Sequence, residues 1–178
     1  DLVKEFGAFN ERTSAEDMDL TWELLGAAYR VYYAPNAHCY PIEPPTRRIF
    51  INQIDRWYRG FLQNIAVRRG NIWKQKRLGF IVYGYLLEFA IAPVLLVWFA
   101  WYTTESVIGI LAVTAAVSFI FVFVPVVMKG WQLGILKKVL TSFPCYFLVR
   151  AVNIGIFWRS IWREWILHEK LTVWHKGH

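Results

Sequence analysis

The chain has 178 residues, of which 56% are hydrophobic, 18% aromatic and only 19% charged, with a mean hydropathy of +0.30. Soluble domains run nearer half apolar and about a quarter charged, and nearly all the apolar excess lies after residue 77, so an ordinary soluble domain is excluded in favour of membrane-spanning segments. Residues 1–43 hold eight acidic and three basic side chains and residues 44–178 hold five acidic and seventeen basic ones; the basic residues border apolar runs, which points to lipid headgroups and the positive-inside rule and excludes nucleic acid as the partner.

Thr13 and Ser14 precede Ala15-Glu16-Asp17-Met18-Asp19-Leu20. A hydroxyl followed by acids in the first turn marks a helix start facing the positive end of the helix dipole. This helix is expected to reach about Ala28 and to bury Leu20, Leu24, Leu25 and Ala28. Arg30-Val31-Tyr32-Tyr33-Ala34 then reads as a short strand, rich in β-branched and aromatic residues. Pro35-Asn36 ends it, and Pro41, Pro44 and Pro45 keep the next stretch extended.

From Thr46 to about Arg69 the period is helical. Phe50, Ile54, Trp57, Phe61 and Ile65 form an apolar stripe that Tyr58 and Leu62 widen, and Arg47, Arg48, Asp55, Arg59 and Arg69 lie opposite. This pattern predicts an amphipathic helix lying in the membrane interface. Leu78 to Tyr102 is apolar with Glu88 as its only charge, and Val107 to Met128 carries no charge. A bilayer core of ~30 Å needs about 20 helical residues, so both runs can span. Lys and Arg flank the pair and are missing from the turn at 103–106. The expectation is a hairpin with its turn outside and both flanks in the cytoplasm.

Val139 to Trp158 is apolar but contains Pro144, Arg150 and Asn153 and is basic at both ends, so it reads as an interfacial or re-entrant segment. The expected segments are therefore 1–45, 46–77, 78–128 and 129–178. Cys39 and Cys145 lack metal-ligand spacing and read as free thiols. The four histidines also lack that spacing, and the start at Asp1 is expected to fall within a domain. Glu88 and Arg150, as charges inside apolar runs, are functional candidates or partners of each other.

Two sets of residues can carry chemistry. Asp17 is a candidate general base, although Ser14-Ala15-Glu16-Asp17 equally fits a capping box in which Asp17 closes the helix start. Gln53, Arg56 and Trp57 sit at i, i+3 and i+4 and share one helical face. Arg56 offers a fork of donors suited to phosphate. Trp57 offers a flat surface for a sugar ring, and Gln53 an amide for hydroxyls. The alternative is that Trp57 anchors at headgroup level and Arg56 reaches lipid phosphate.

The order of these pieces resembles the processive family 2 glycosyltransferases: cellulose, hyaluronan, chitin and poly-N-acetylglucosamine synthases. The residues that carry the likeness are Ala15-Glu16-Asp17-Met18-Asp19-Leu20, where Ala15 replaces the family's Thr, Tyr29-Arg30-Val31-Tyr32-Tyr33-Ala34-Pro35, and Gln53-Ile54-Asp55-Arg56-Trp57. Glu169-Lys170-Leu171-Thr172 with His175 and Gly177 is similar, at altered spacing, to a C-terminal motif of some bacterial members.

The resemblance implies an α/β fold, the C-terminal part of a GT-A type domain, followed by the interfacial helix and transmembrane helices. It implies that Asp17 deprotonates the acceptor hydroxyl, that Glu16 shapes the acceptor site, that Arg56 contacts the donor diphosphate, and that Trp57 floors the acceptor site with Gln53 nearby. It further implies a nucleotide-sugar donor, a polysaccharide acceptor, and a plasma or inner membrane location with the catalytic part in the cytoplasm. A divalent metal (Mg or Mn) would belong to a donor-binding half upstream, and an accessory membrane subunit is left open. A non-processive lipid glycosyltransferase of the ceramide type and a non-enzymatic membrane scaffold are the alternatives.

Overall fold

The computed structural model describes residues 2–32, 34, 36–72, 74–91, 93–94, 97–98, 101, 108–109 and 122–171. Among them the regular elements are helical: α1 (Leu2–Glu5), α2 (Glu16–Gly26), α3 (Arg47–Ile72), α4 (Lys76–Leu86), α5 (Val124–Gln132) and α6 (Leu136–Ile161). π-helical turns continue α4 (Leu87–Ile91) and α6 (Trp162–Ile166). The chain divides into two compact units, one of residues 1–86 with 155–178 and one of residues 87–154.

The first unit is built on α3. Its apolar stripe buries Ile54, Phe61 and Leu62, as the period predicts, against Leu20 and Trp22 of α2, Leu78 and Val82 of α4, and Ile156 and Phe157 at the end of α6. Trp22 meets Phe61 edge-on at 6.0 Å, and Tyr58 meets Phe157 edge-on at 5.1 Å. Trp57 departs from the stripe and stays 50% exposed.

The polar side of α3 corrects an expectation. Asp55 and Arg59, read as part of a solvated polar face, are buried. Ser160 donates to Asp55 at 2.8 Å, and the Arg59 guanidinium lies 2.6 Å from Glu164. The partners come from the tail of the chain, 105 residues away, where helical periodicity gives no sign of them.

α2 begins after Ser14 as expected but ends at Gly26. Leu20 is buried, Leu24 and Leu25 are half-buried, and Ala28 is exposed. Ala28 has φ 64° and closes a Schellman cap, with Tyr29 N–H on the Leu24 carbonyl at 3.0 Å and Ala28 N–H on the Leu25 carbonyl at 3.1 Å. An alanine Cβ is strained in this left-handed conformation, and glycine is not. Ala28→Gly is therefore expected to stabilise the first unit by about 0.5–1 kcal/mol, read as a rise in the thermal midpoint of the purified protein.

The strand expected at Arg30–Ala34 is not formed at the described positions Arg30, Val31, Tyr32 and Ala34; Tyr33 lies outside the described residues. Among the described residues no strand runs alongside to accept the ladder hydrogen bonds that an isolated extended segment cannot make by itself. Residues 41–44 carry no regular secondary structure and residues 45–46 bend into α3.

In the second unit, the expected turn at 103–106 and most of the run from Val107 to Met128 lie outside the described residues. α5 closes on Gly134 (φ 70°) in another Schellman cap, and α6 returns beside it. A Cβ on Gly130 would lie 2.7 Å from Val139 Cγ2, so the two helices touch at a glycine. Phe123 packs on Phe143 at 4.4 Å, and Phe143 stacks on Tyr146 at 5.7 Å. Arg150 donates to the Tyr146 hydroxyl at 2.7 Å and pairs with Glu88 at 2.8 Å. The two charges inside the apolar runs are thus partners of each other.

Val139–Trp158 falls within α6, which passes Pro144 without a break. Leu136–Ile166 is 31 residues with a mean hydropathy of 1.5, and only 6% of its apolar window is buried. By length and composition it can cross a membrane, and its low burial separates it from the core helix of a soluble protein.

Candidate functional site

The site is assembled where the start of α2 lands on α3. Gly60 makes this possible. A Cβ there would lie 2.5 Å from Ala15 Cβ and 3.0 Å from Ala15 N, so the first turn of α2 rests directly on the α3 backbone. Gly60 is four residues after Arg56 and three after Trp57, and so lies on the same helical stripe as the Gln53-Arg56-Trp57 face, one turn along.

Asn64, one turn further and fully buried, pins the contact. Its amide donates to Thr13 Oγ1 at 3.3 Å, to the Ala15 carbonyl at 3.2 Å and to the Gly60 carbonyl at 2.9 Å. The Ser14 hydroxyl lies 3.2 Å from Gln63 Oε1 and 3.5 Å from the Arg56 carbonyl.

The capping box with Ser14 as N-cap is not formed, although Asp17 does hold one first-turn N–H of α2. Ala15 is the N-cap and gives no side-chain cap bond, and the Ser14 hydroxyl is turned toward α3. Asp17 is exposed, and its Oδ1 accepts the Met18 N–H at 2.8 Å. Glu16 is exposed beside it. The carboxylate at the next acidic position is the structural one. Asp19 is 1% exposed, and Arg12 and Arg68 fork onto it at 2.6 and 2.8 Å. The same two arginines reach Glu23 at 2.9 and 2.7 Å. The hydrogen bond to Asp19, with the charges of Asp19 and Glu23, raises the Arg12 pKa above its ordinary value.

On α3, Gln53 and Arg56 are half-buried and Trp57 half-exposed. Half of the Trp57 surface is thus left uncovered by the first unit. The structure therefore brings the Glu16-Asp17 turn and the Gln53-Arg56-Trp57 face onto adjoining elements, joined at Gly60. Sequence reading missed Gly60, Gln63, Asn64 and the Arg12-Asp19-Arg68 cluster. Gly60 did carry a signal, because a glycine inside a long helix costs about 1 kcal/mol relative to alanine and so points to a close approach. Among the described residues no group of three or more His, Cys, Asp or Glu side chains could hold a metal ion.

A model of the family described as Glycosyl transferase family group 2 matches residues 1–133. The chain belongs to this glycosyltransferase family. Both sets of candidate residues, Glu16-Asp17 and Gln53-Arg56-Trp57, lie inside the matched range, and all of α6 and the tail lie beyond it. The chain is also 35% identical over 97 residues to the uncharacterized glycosyltransferase YaiP of Escherichia coli (strain K12), a match that covers 54% of this chain and 22% of that protein. The chain thus spans about a fifth of the length of the relative it matches. No solved structure matches. The family match and this relative support sugar transfer as the reaction class, and α6 supports membrane association.

Gly60→Ala tests the contact that holds the start of α2 on α3. Ala15 backbone sits against the added methyl, so there is no flexible side-chain end to give way. The substitution is expected to cost about 1–3 kcal/mol as overpacking. It should lower sugar transfer more than the equally conservative Gly70→Ala, where a Cβ meets nothing within 4 Å. Thermal unfolding and transfer rate measured on both variants decide the point.

Proposed function

We propose that this chain is the acceptor side and membrane part of an inverting glycosyltransferase that elongates a β-linked polysaccharide from a nucleotide-sugar and passes it across the membrane. The observation that carries the reading is the landing of Ser14 and Ala15, which lead directly into the exposed Glu16 and Asp17, on α3 at Gly60 and the Arg56 carbonyl, next to the half-exposed Trp57 in the helix. In this reading Asp17 takes the proton from an acceptor hydroxyl. That oxygen bonds to the anomeric carbon, the carbon–oxygen bond to the diphosphate breaks, and the nucleoside diphosphate leaves with its charge met by Arg56. Glu16 shapes the acceptor side, Trp57 stacks on the acceptor ring, and Gln53 serves its hydroxyls.

The nucleotide-binding half of an α/β GT-A domain, with its divalent cation, would lie upstream; no step assigned to this chain runs through that cation. Lys and Arg on the flanks of the apolar runs favour a cytoplasmic site. The exposed apolar side chains of α4 (Phe80, Ile81, Tyr83) suit lipid or a neighbouring membrane helix.

The test is mass spectrometry of the product made by membranes containing the full-length protein, supplied in turn with different nucleotide-sugars. A ladder of sugars supports the polymer reading, and a single sugar on a lipid replaces it with the lipid glycosyltransferase. Arg56→Lys keeps the charge but loses the fork, and is expected to impair transfer severely; normal transfer in Arg56→Lys and Trp57→Phe together returns both residues to lipid anchoring. Orientation is read by single cysteines at Thr104 and Gln132 in a background without the exposed Cys39 and Cys145. An impermeant reagent on intact cells should label position 104 and not 132.

A further inference from the structure

Gln63 occupies an unusual position. It lies on α3, two turns after Arg56, and bridges two segments far from it in sequence. Its Oε1 accepts the Ser14 N–H at 2.8 Å and lies 3.2 Å from the Ser14 hydroxyl. Its Nε2 donates to Glu164 Oε1 at 3.0 Å and to the Leu171 carbonyl at 3.4 Å. The amide orientation is fixed chemically, because a backbone N–H can only donate and a carboxylate only accept. Glu164 is itself held by Arg59 at 2.6 Å and accepts the Leu171 N–H at 3.2 Å. His168, at φ 55°, turns the chain after the π-helical turn, and Arg59 also donates to the Glu169 carbonyl.

We infer that Gln63 is a positioning residue for the transfer reaction, setting the Ser14–Asp17 turn on α3 and linking it to the tail segment Glu164–Leu171. The inference rests on the proposed role of Asp17. Gln63 touches neither of the proposed reacting groups. It acts through Ser14, three residues before Asp17, whose hydroxyl also approaches the Arg56 carbonyl. Asn64 fastens the same turn from within α3 alone, whereas Gln63 carries a hydrogen bond on each side. A displacement of either partner therefore shifts the base relative to Arg56 and Trp57, and a misplacement of about 1 Å can cost on the order of 10²-fold in rate.

The experiment uses the full-length protein in membranes and the nucleotide-sugar that supports transfer in the product assay. Gln63→Met fills the same space without either hydrogen bond. It should lower kcat per folded molecule by about 10–100-fold and leave donor KM within about twofold. Leu78→Ala, a core truncation elsewhere in this unit, should lower the thermal midpoint without this selective loss of kcat.

Gln63→Glu keeps the acceptor toward Ser14 and puts a second carboxylate beside Glu164. The two like charges favour a shared proton, which Arg59 and Arg163 beside Glu164 oppose, so the proton that restores the donor binds only as the pH falls. The ratio of variant to wild-type kcat should therefore fall as the pH rises, while the ratio for Gln63→Met stays flat. Wild-type kcat in Gln63→Met, or a pH-independent ratio for Gln63→Glu, overturns the inference. If Asp17→Asn transfers sugar as fast as the wild type, the proposed base is wrong whatever Gln63 does, and the inference falls with it.

Discussion

Replacing Asp17 with asparagine is expected to lower the turnover of the full-length enzyme by about 10²–10⁴-fold, the usual weight of a general base, while changing its thermal stability little. Both halves of this expectation come from the local geometry. The carboxylate is exposed, and its Oδ1 accepts the Met18 N–H. The asparagine oxygen can accept the same bond, so the start of α2 is preserved, and the loss is the capacity to take a proton together with a helix-dipole contribution of under about 1 kcal/mol. Asp19→Asn is the contrasting case. It strips the charge from a 1% exposed carboxylate on which two arginines converge, and should destabilise the protein. Turnover measured per folded molecule in both variants separates the proposed base from the structural carboxylate. Near-normal turnover in Asp17→Asn would remove Asp17 from the reaction.

The largest expected loss of stability comes from Glu164→Ala. Arg59 and Glu164 are each 3% exposed at the side chain and lie 2.6 Å apart. Truncating the carboxylate leaves a buried guanidinium with the Glu169 carbonyl. It also takes the acceptor from the Gln63 amide and the Leu171 N–H. Breaking a buried pair in this way costs about 3–5 kcal/mol. The double variant Arg59→Met with Glu164→Leu leaves no orphaned charge and should cost less than Glu164→Ala alone. Glu169→Gln, which loosens the more exposed pair with Arg163, should cost less than about 1 kcal/mol. Thermal unfolding of the protein in lipid nanodiscs orders the three. A Glu164→Ala variant as stable as Glu169→Gln would mean that water reaches the Arg59 guanidinium.

Parts of this site are legible in the sequence because they depend on neighbours in the chain. The start of α2 after Ser14 follows from the acids of the first turn. The buried side of α3 follows from Ile54, Phe61 and Leu62 at helical spacing. The shared face of Gln53, Arg56 and Trp57 is a consequence of helical geometry alone. Short-range pattern misled at Asp55 and Arg59, which share the polar side of α3 with solvated arginines yet are buried. A charged residue on a polar face has the same sequence signature whether water or a distant counter-ion receives it. It misled again at Arg30–Tyr32, where β-forming residues lack a neighbouring strand among the described residues. Strand preference measures fit to a pleated neighbour, and it cannot supply that neighbour.

The sequence by itself determined the long apolar runs, the acidic start of α2, the amphipathic α3 and the two sets of candidate residues, since composition and period are local properties of the chain. The tertiary structure alone decided which acids stay exposed and which are buried in ion pairs. Asp17 is left exposed while Asp19 is consumed by Arg12 and Arg68, although both stand in the same turn of α2. It alone joined that turn to α3 at Gly60, with partners 49 residues apart, and closed the tail onto α3 through Arg59 and Glu164, 105 residues apart. The physical reason is that an ion pair or a helix crossing is specified by the position of two surfaces in space. Residue spacing along the chain encodes the surfaces, and only packing selects which of them meet.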